Sequence, residues 1–430
     1  MVRRAGLFHP GRMFLAAICA VVSGAGPLYA APDAADEAFR FFQAEAEVFG
    51  AAKHAQTVSR APASVQIITA DEIATYGYRN LAEALQSLPG IYATNDRNYA
   101  YLWIRGFGRP GDYTDRVLIL LNGHRLNDNI YGQVMPGFEF SVDMSAVERI
   151  EVVKGPGSAL YGDNAFFAVV NVITRSAPVE PGALVGTEAG SYGTVKGFGD
   201  AGRRFAGGGE LYASGSYRHM RGQDLAYPEF PDANGGTAVA ADREENYTLY
   251  TSASRWGWKL QGSAAKRTKR VPTASYGTSF NHNGTYTSDE RRFLELALPE
   301  YALGDHLVLS GRGYYDWYDY HANYVYPASL VNHDIARGSW YGEELRLRSS
   351  FLGERNTSTI GQEFEKGLLA RQTNYDEEPH NIVMDDDHPE YHWAMFAQQE
   401  LGLHRSVDLT LGLRYDRYQS FGHTWNPGPR

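Results

Sequence analysis

From Ala183 onward the chain alternates. In His306 to Tyr318, Leu307, Leu309, Gly311, Gly313, Tyr315 and Trp317 fall on one face, and Ser310, Arg312 and Asp316 fall on the other. In Ser406 to Tyr418, Val407, Leu409, Leu411, Leu413 and Tyr415 oppose Asp408, Thr410, Arg414 and Asp416. A period of two predicts strands with one apolar and one polar face. About eleven such segments follow one another, each near the ~10 residues that a tilted membrane strand needs. Their cores lie at 183–190, 194–202, 209–220, 245–256, 258–267, 291–301, 306–318, 339–350, 356–366, 392–401 and 406–418. The connections sort by parity. Long polar loops are expected at 221–244, 268–290, 319–338 and 367–391, with tight turns such as Trp256-Gly257-Trp258 between them. That arrangement predicts an antiparallel membrane β-barrel with its turns in the periplasm. A soluble β-sandwich, the alternative, has no reason to separate long loops from short turns.

Residues 61–178 read differently, as a mixed α/β unit. Val65 to Thr69 is a short strand, and Thr69 with Glu72 makes a capping box for the turn that follows. Asn80 caps a helix carrying Leu81, Leu85 and Leu88 on one face. Tyr101 to Arg105 and Arg116 to Leu121 read as strands, and Asn122-Gly123 as a hairpin turn. Ser145 and Glu148 suggest a second capping box before an extended run at Arg149 to Val153.

The first thirty residues bear on location. Arg3, Arg4 and Arg12 precede the apolar run MFLAAICAVV and the small residues Ala30 and Ala31, which is a secretory signal-peptide pattern. Residues 31–60 then read as a flexible leader. Cys19, the single cysteine, lies in the apolar run. A mature chain without thiols excludes a disulfide framework, a thiolate metal site and a cysteine nucleophile. The formal net charge is −10, so an exported acidic chain is a poor candidate for nucleic-acid binding. Beyond the signal no run of 18 apolar residues offers a membrane helix. The 29 tyrosines and 46 glycines suit strands that cross instead.

The stretch VVKGPGSALYG, 152–162, places three glycines between two β-rich runs. A phosphate loop would end in Gly-Lys-Ser/Thr, but Asp163 and Asn164 follow Gly162. A dinucleotide loop would put a third glycine where Leu160 stands, and would open a long helix rather than the strand expected over Phe166 to Thr174. The glycines are therefore read as permitting tight reversals.

Several motifs in order carry a resemblance: APASVQIIT at 61–69, NLAEALQSLPGI at 80–91, WIRGFG at 103–108, RVLILLNG at 116–123 and SAVERIEVVKGPGSALYGDNAFFAVVNVITR at 145–175. Residues 61–178 closely resemble the plug domain of TonB-dependent outer-membrane receptors. Residues 183–430 resemble their barrel in architecture. The resemblance implies a Gram-negative outer-membrane location and energised uptake of a scarce chelated ligand, with a ferric siderophore as the first expectation. Cobalamin, haem or another metal chelate stands behind it. A passive porin or adhesin is the alternative class, and no Ser/His/Asp spacing argues for an enzyme.

The expected partners are TonB with its inner-membrane complex, outer-membrane lipid and the small chelated ligand, with no nucleic acid, no resident cofactor and no structural metal. Glu47, Val48, Phe49, Gly50 and Ala51 stand where the family carries its TonB box, a short segment suited to β-strand addition. About thirty leader residues are too few for an independent signalling domain. In the family, plug arginines pair with glutamates of the barrel wall. Arg105, Glu148 and Arg149 are the plug candidates here, with Glu344 and Glu363 as wall partners facing the lumen. Tyr320, Tyr324 and Tyr326, expected in a long loop, are ligand candidates, as are Lys269 and Arg270 toward an anionic chelate. Tyr315 and Trp317 are expected in the interfacial girdle. The acidic loop at 367–391 is expected to be solvated.

Family barrels have about twenty-two strands. The sequence supplies about half, which reads as a truncated member, because an open sheet would leave unpaired edges in lipid.

Overall fold

The computed structural model describes residues 47–429, except 51–52, 55, 58–63, 109–112, 232, 352–355 and 405–406. The signal peptide expected over 1–30 and the leader before Glu47 lie outside the described residues.

The leader supplies β1 (Glu47–Val48) and β2 (Gln56–Thr57), which pair antiparallel. Next come β3 (Ser64–Thr69), α1 (Ala70–Tyr76), α2 (Leu81–Gln86), β4 (Ile91–Asn95), β5 (Ala100–Ile104), β6 (Val117–Leu121), β7 (His124–Arg125), β8 (Val147–Lys154), α3 (Ser158–Tyr161) and β9 (Ala168–Thr174). Five of these strands form one sheet in the order β3-β8-β9-β6-β7, in which only β6 and β9 run parallel. Its strands are rich in Val, Ile and Leu because helices and loops cover them. Leu81, Leu85, Ile119, Leu121, Ile150, Val152, Val170 and Val172 meet in the core.

The capping box at Thr69 is present: the Glu72 amide donates to Thr69 Oγ1 at 3.2 Å, and the Thr69 amide donates to Glu72 Oε2 at 2.8 Å. Asn80 caps α2 by accepting from the Glu83 amide at 3.0 Å. The box expected from Ser145 and Glu148 does not form. Asp143 caps a single turn over Met144–Ala146, and β8 starts at Val147. The alternating apolar residues from Val147 bond to β3 and β9, so sheet pairing overrides the local helical signal.

In the glycine stretch, Gly155 and Gly162 take φ of +135° and +74°, where side chains are disfavoured. A Cβ at Gly157 would stand 2.9 Å from Val169, so the turn is pressed onto β9.

The wall strands are β10 (Gly182–Gly190), β11 (Thr194–Arg204), β12 (Glu210–Met220), β13 (Leu225–Ala226), β14 (Thr237–Ala238), β15 (Glu244–Arg255), β16 (Trp258–Arg270), β17 (Tyr286–Ala297), β18 (Tyr301–Ala302), β19 (Leu307–Val325), β20 (Val331–Phe351), β21 (Asn356–Asp376), β22 (Asn381–Asp387), β23 (Tyr391–His404), β24 (Val407–Tyr418) and β25 (Gly422–Pro429). The long ladder runs β10-β11-β12-β15-β16-β17-β19-β20-β21-β23-β24-β25, with β18 and β22 attached at its side. Every pair in it is antiparallel. Among the described residues no helix is long and apolar enough to cross a membrane.

The alternation is realised in space. Leu411 and Leu413 face outward, while Arg414 and Asp416 are fully enclosed. Two expectations need correction. Residues 319–338 are no loop: β19 and β20 run on to a turn at 326–330, because Tyr318, Tyr320, Ala322 and Tyr324 continue the alternation inward. Residues 367–391 likewise hold the end of β21 and all of β22. β25 adds a strand beyond the eleven segments read from the pattern.

Candidate functional site

The leader is folded into the seam between plug and wall. Val48 is buried against Leu118, Leu120 and Val153 of the plug. The amides of Phe49 and Gly50 both donate to Glu151 Oε2, at 3.0 Å each. Glu151 lies in β8 and is wholly enclosed, so these amides compensate its buried charge. Lys53 then enters the wall. Its Nζ lies 3.2 Å from Glu344 and 2.5 Å from Glu363, between the rings of Phe396 and Tyr161. Its carbonyl accepts from Arg346. Burial pulls the Lys53 ammonium below its ordinary pKa, and the two glutamates oppose that shift. His54 beside it contacts Glu400 at 2.9 Å.

A second attachment uses the turn between β6 and β7. Asn122 and Gly123 have φ of +50° and +85°, the paired left-handed geometry of a two-residue hairpin. The turn projects three consecutive residues onto four wall strands. Asn122 Nδ2 donates to Tyr250 at 2.8 Å and Gln261 at 3.1 Å. The Gly123 carbonyl accepts from Arg312 at 2.5 Å. His124 sits with Nδ1 at 3.0 Å from Glu295 and Nε2 at 2.9 Å from Asp316, stacked on Phe293 at 4.1 Å. Burial disfavours the imidazolium, but Asp316 and Glu295 outweigh it and lift His124 to about 9.

The two attachments share one run of wall charges. Gln261 donates to Glu295 (2.7 Å), which pairs with Arg312 (3.3 Å), which pairs with Glu344 (2.6 Å). Lys53 bridges Glu344 to Glu363, and Glu363 continues to Arg414 (2.6 Å) and Asp416 (2.7 Å). The run thus crosses from β16 to β24, with the leader as one of its links. A cavity of about 480 Å³ borders it along the plug surface, lined among others by Lys53, Arg125, Asp128, Glu365 and, toward the long loops, His388.

Glu344 and Glu363 face the lumen as the alternation requires, but Arg105 does not reach them. It is exposed on the turn after β5, and its electrostatic neighbour is Lys154. Their partners are Lys53 and the wall arginines 312, 346 and 414. Glu148 and Arg149 pair with each other at 3.3 Å, and Arg149 also holds Glu151 at 2.8 Å, so both act within the plug. Ala51 falls outside the described residues. Lys269 is buried on Asp242 rather than open to an anion, and Arg270 is half-buried beside it.

Tyr320 and Tyr324 are not loop residues. They are buried on the inner face of β19, hydroxyl to hydroxyl at 3.1 Å, in a cluster with Tyr318 and Trp340. Plug residues Tyr99, Ile130 and Tyr131 pack against that cluster, and Tyr326 joins its rim. Tyr99 donates to Asp289 at 2.7 Å. The plug tip and the wall therefore share one tyrosine cluster toward the long-loop end. Tyr315 faces outward.

Comparisons with known proteins bear on the fold. Residues 57–169 match the TonB-dependent Receptor Plug Domain family. The chain is 33% identical over 216 residues to the vitamin B12 transporter BtuB of Vibrio vulnificus, covering 49% of this chain and 33% of that protein. It is 26% identical over 419 residues to the iron-regulated outer membrane virulence protein of Vibrio cholerae, covering 89% of this chain and 56% of the relative. The chain therefore spans about a third to just over half of these two relatives' lengths. Among solved structures, the ferric enterobactin receptor of Pseudomonas aeruginosa superposes with a TM-score of 0.63 at 18% identity, over 86% of this chain and 59% of that one. The ferripyoverdine receptor of the same organism gives 0.64 at 14% identity, over 90% and 55%. Residues 57–169 are thus a TonB-dependent receptor plug domain, and the wall strands around it share the β-barrel fold of TonB-dependent outer-membrane receptors.

Proposed function

We propose that the chain serves energised import of a chelated nutrient across the outer membrane, drawn by TonB through residues 47–51, and that the cargo is a ferric siderophore. The observation that carries this reading is the leader itself. It is a short extended segment tied by its backbone to Glu151 of the plug and by Lys53 to Glu344 and Glu363 of the wall. A force on it reaches both parts at once. The outer membrane holds no nucleotide supply, so work must arrive mechanically. β-strand addition at Glu47–Val48 gives a partner main-chain bonds with little sequence demand. A passive pore would have no use for such a tether.

The siderophore reading draws on the iron-regulated relative and the ferric receptors of matching fold. Tyr320, Tyr324, Tyr326 and the plug tyrosines 99 and 131 are the proposed contacts for an aromatic or planar chelate. The relative named for vitamin B12 supports cobalamin as a second reading.

The test is growth of a receptor-deficient Gram-negative strain on a panel of ferric chelates and on cobalamin. Deleting residues 47–51 should abolish energised uptake and leave binding of the accepted chelate unchanged. Uptake that survives the deletion would refute the proposal.

A further inference from the structure

The outward face carries a recess that the transport reading does not use. It lies at the tight-turn end of the wall, between the β11–β12 turn and the β15–β16 turn, and has a volume of about 810 Å³. That falls within the ~300–1,000 Å³ of ordinary small-molecule sites. Its walls are Phe205, Leu211, Trp256, Trp258, Leu260 and Leu296.

The register explains the recess. Ala253 pairs with Leu211 on one side and Leu260 on the other, and Leu260 pairs with Leu296. An alanine among leucines leaves a notch. One step farther from the turns, Ala213, Thr251 and Gly262 stand abreast. The notch therefore continues as a shallow lane along the strands. At its turn end Arg255 pairs across the hairpin with Trp258 and lies over the Trp256 ring at 4.1 Å. Among the described residues Arg255 has no carboxylate partner. Glu210, the acidic residue on the lining, is engaged by Arg204 at 3.7 Å, and Arg203 lies over Phe205.

We propose that this recess seats one glycerophospholipid of the periplasm-facing leaflet, an acyl chain lying in the lane over Ala253 and the phosphate on Arg255. The inference rests on strands β10–β25 crossing the outer membrane with their turns toward the periplasm. Three features converge on that ligand. The recess is lined mostly by apolar side chains, and Ala213 and Gly262 continue it along the strands, so it suits a chain better than a compact solute. It opens to lipid, because its lining belongs to the outward set of the alternation. Its free cation stands at the interfacial end, where an anionic headgroup lies, framed by tryptophans that favour that depth.

The experiment is native mass spectrometry of the full chain in detergent, titrated with phosphatidylglycerol or with diacylglycerol of the same acyl chains. The wild type should retain one phosphatidylglycerol, about tenfold more tightly than diacylglycerol, as a charge-assisted contact implies. Ala253→Phe fills the notch and should remove both lipids, whereas Ala397→Phe, an outward alanine on β23, should remove neither. Arg255→Gln should keep diacylglycerol binding and abolish the headgroup preference. Should Ala253→Phe fail to fold, Arg255→Gln decides alone. Undiminished preference in Arg255→Gln, or lipid retention by a folded Ala253→Phe, overturns the seat.

Discussion

The leader and the β6–β7 turn hold the same wall in opposite ways. The turn is anchored on both sides by plug strands, and its five polar contacts to the wall leave it no independent movement. The leader rests on the short β1–β2 pairing, two amides on one carboxylate, the inserted Lys53 ammonium with its carbonyl on Arg346, and His54 on Glu400. The turn is a fixture, and the leader is the fastening that the proposed import would withdraw. Yet Lys53 and His124 are separated by only Glu344, Arg312 and Glu295. Withdrawing Lys53 leaves Glu344 and Glu363 with fewer compensating charges, and that imbalance reaches the fixture through Arg312.

Replacing Lys53 by Met should break this contrast most strongly. Removing one partner of a buried ion pair costs about 3–5 kcal/mol, and two carboxylates lose a partner here. Residues 47–57 should become exchangeable and protease-sensitive, while chelate affinity stays within about twofold, because none of the side chains that Lys53 contacts belongs to the tyrosine cluster. A leader as protected as in the wild type would mean that Lys53 does not fasten it.

His124→Gln should weaken the fixture in a pH-dependent way. The folded pKa of about 9 lies above the ordinary ~6.5, so the imidazolium stabilises docking fully below about pH 6.5. That contribution, roughly 3 kcal/mol at order of magnitude, is lost as pH rises through about 9. Denaturation of the wild type should therefore approach that of the variant in alkali. A constant gap from pH 6 to 10 would show that charge on His124 is irrelevant.

Tyr320→Phe removes one hydroxyl contact and should cost about 0.5–1.5 kcal/mol of stability. If the proposed ligand surface is right, chelate affinity falls by a comparable factor while leader protection is unchanged. Thr69→Ala, a cap distant from both attachments, should cost about 1 kcal/mol and alter neither uptake nor pH response.

The sequence spoke clearly where one physical rule acts alone. Alternation placed Leu411 and Leu413 outside and Arg414 and Asp416 inside, because lipid and lumen impose opposite demands on neighbouring residues. The Asn122-Gly123 turn was legible because few pairs tolerate two left-handed residues. The run of β19 past residue 318 and the start of β20 at Val331 were missed because polar residues among the tyrosines resembled loop composition. The candidate site was half legible. Glu344 and Glu363 were found from parity, but their partner was sought among plug arginines. Lys53 is one of three basic residues in the leader, with Arg40 and Arg60, and no local pattern shows that it is buried. His124 carried a fainter signal: a titratable residue beside a tight turn, in a chain whose inward wall positions include Glu295, Arg312 and Asp316.

The lengths of β19, β20 and β21, at 19, 21 and 21 residues, carry one more consequence. At ~3.3 Å per residue and a tilt near 40°, such strands rise roughly 50 Å, about twice the ~25 Å apolar band of an outer-membrane barrel. On this side the wall stands above the lipid as a stiff collar. A molecule arriving from outside meets hydrogen-bonded sheet well before it meets the bilayer.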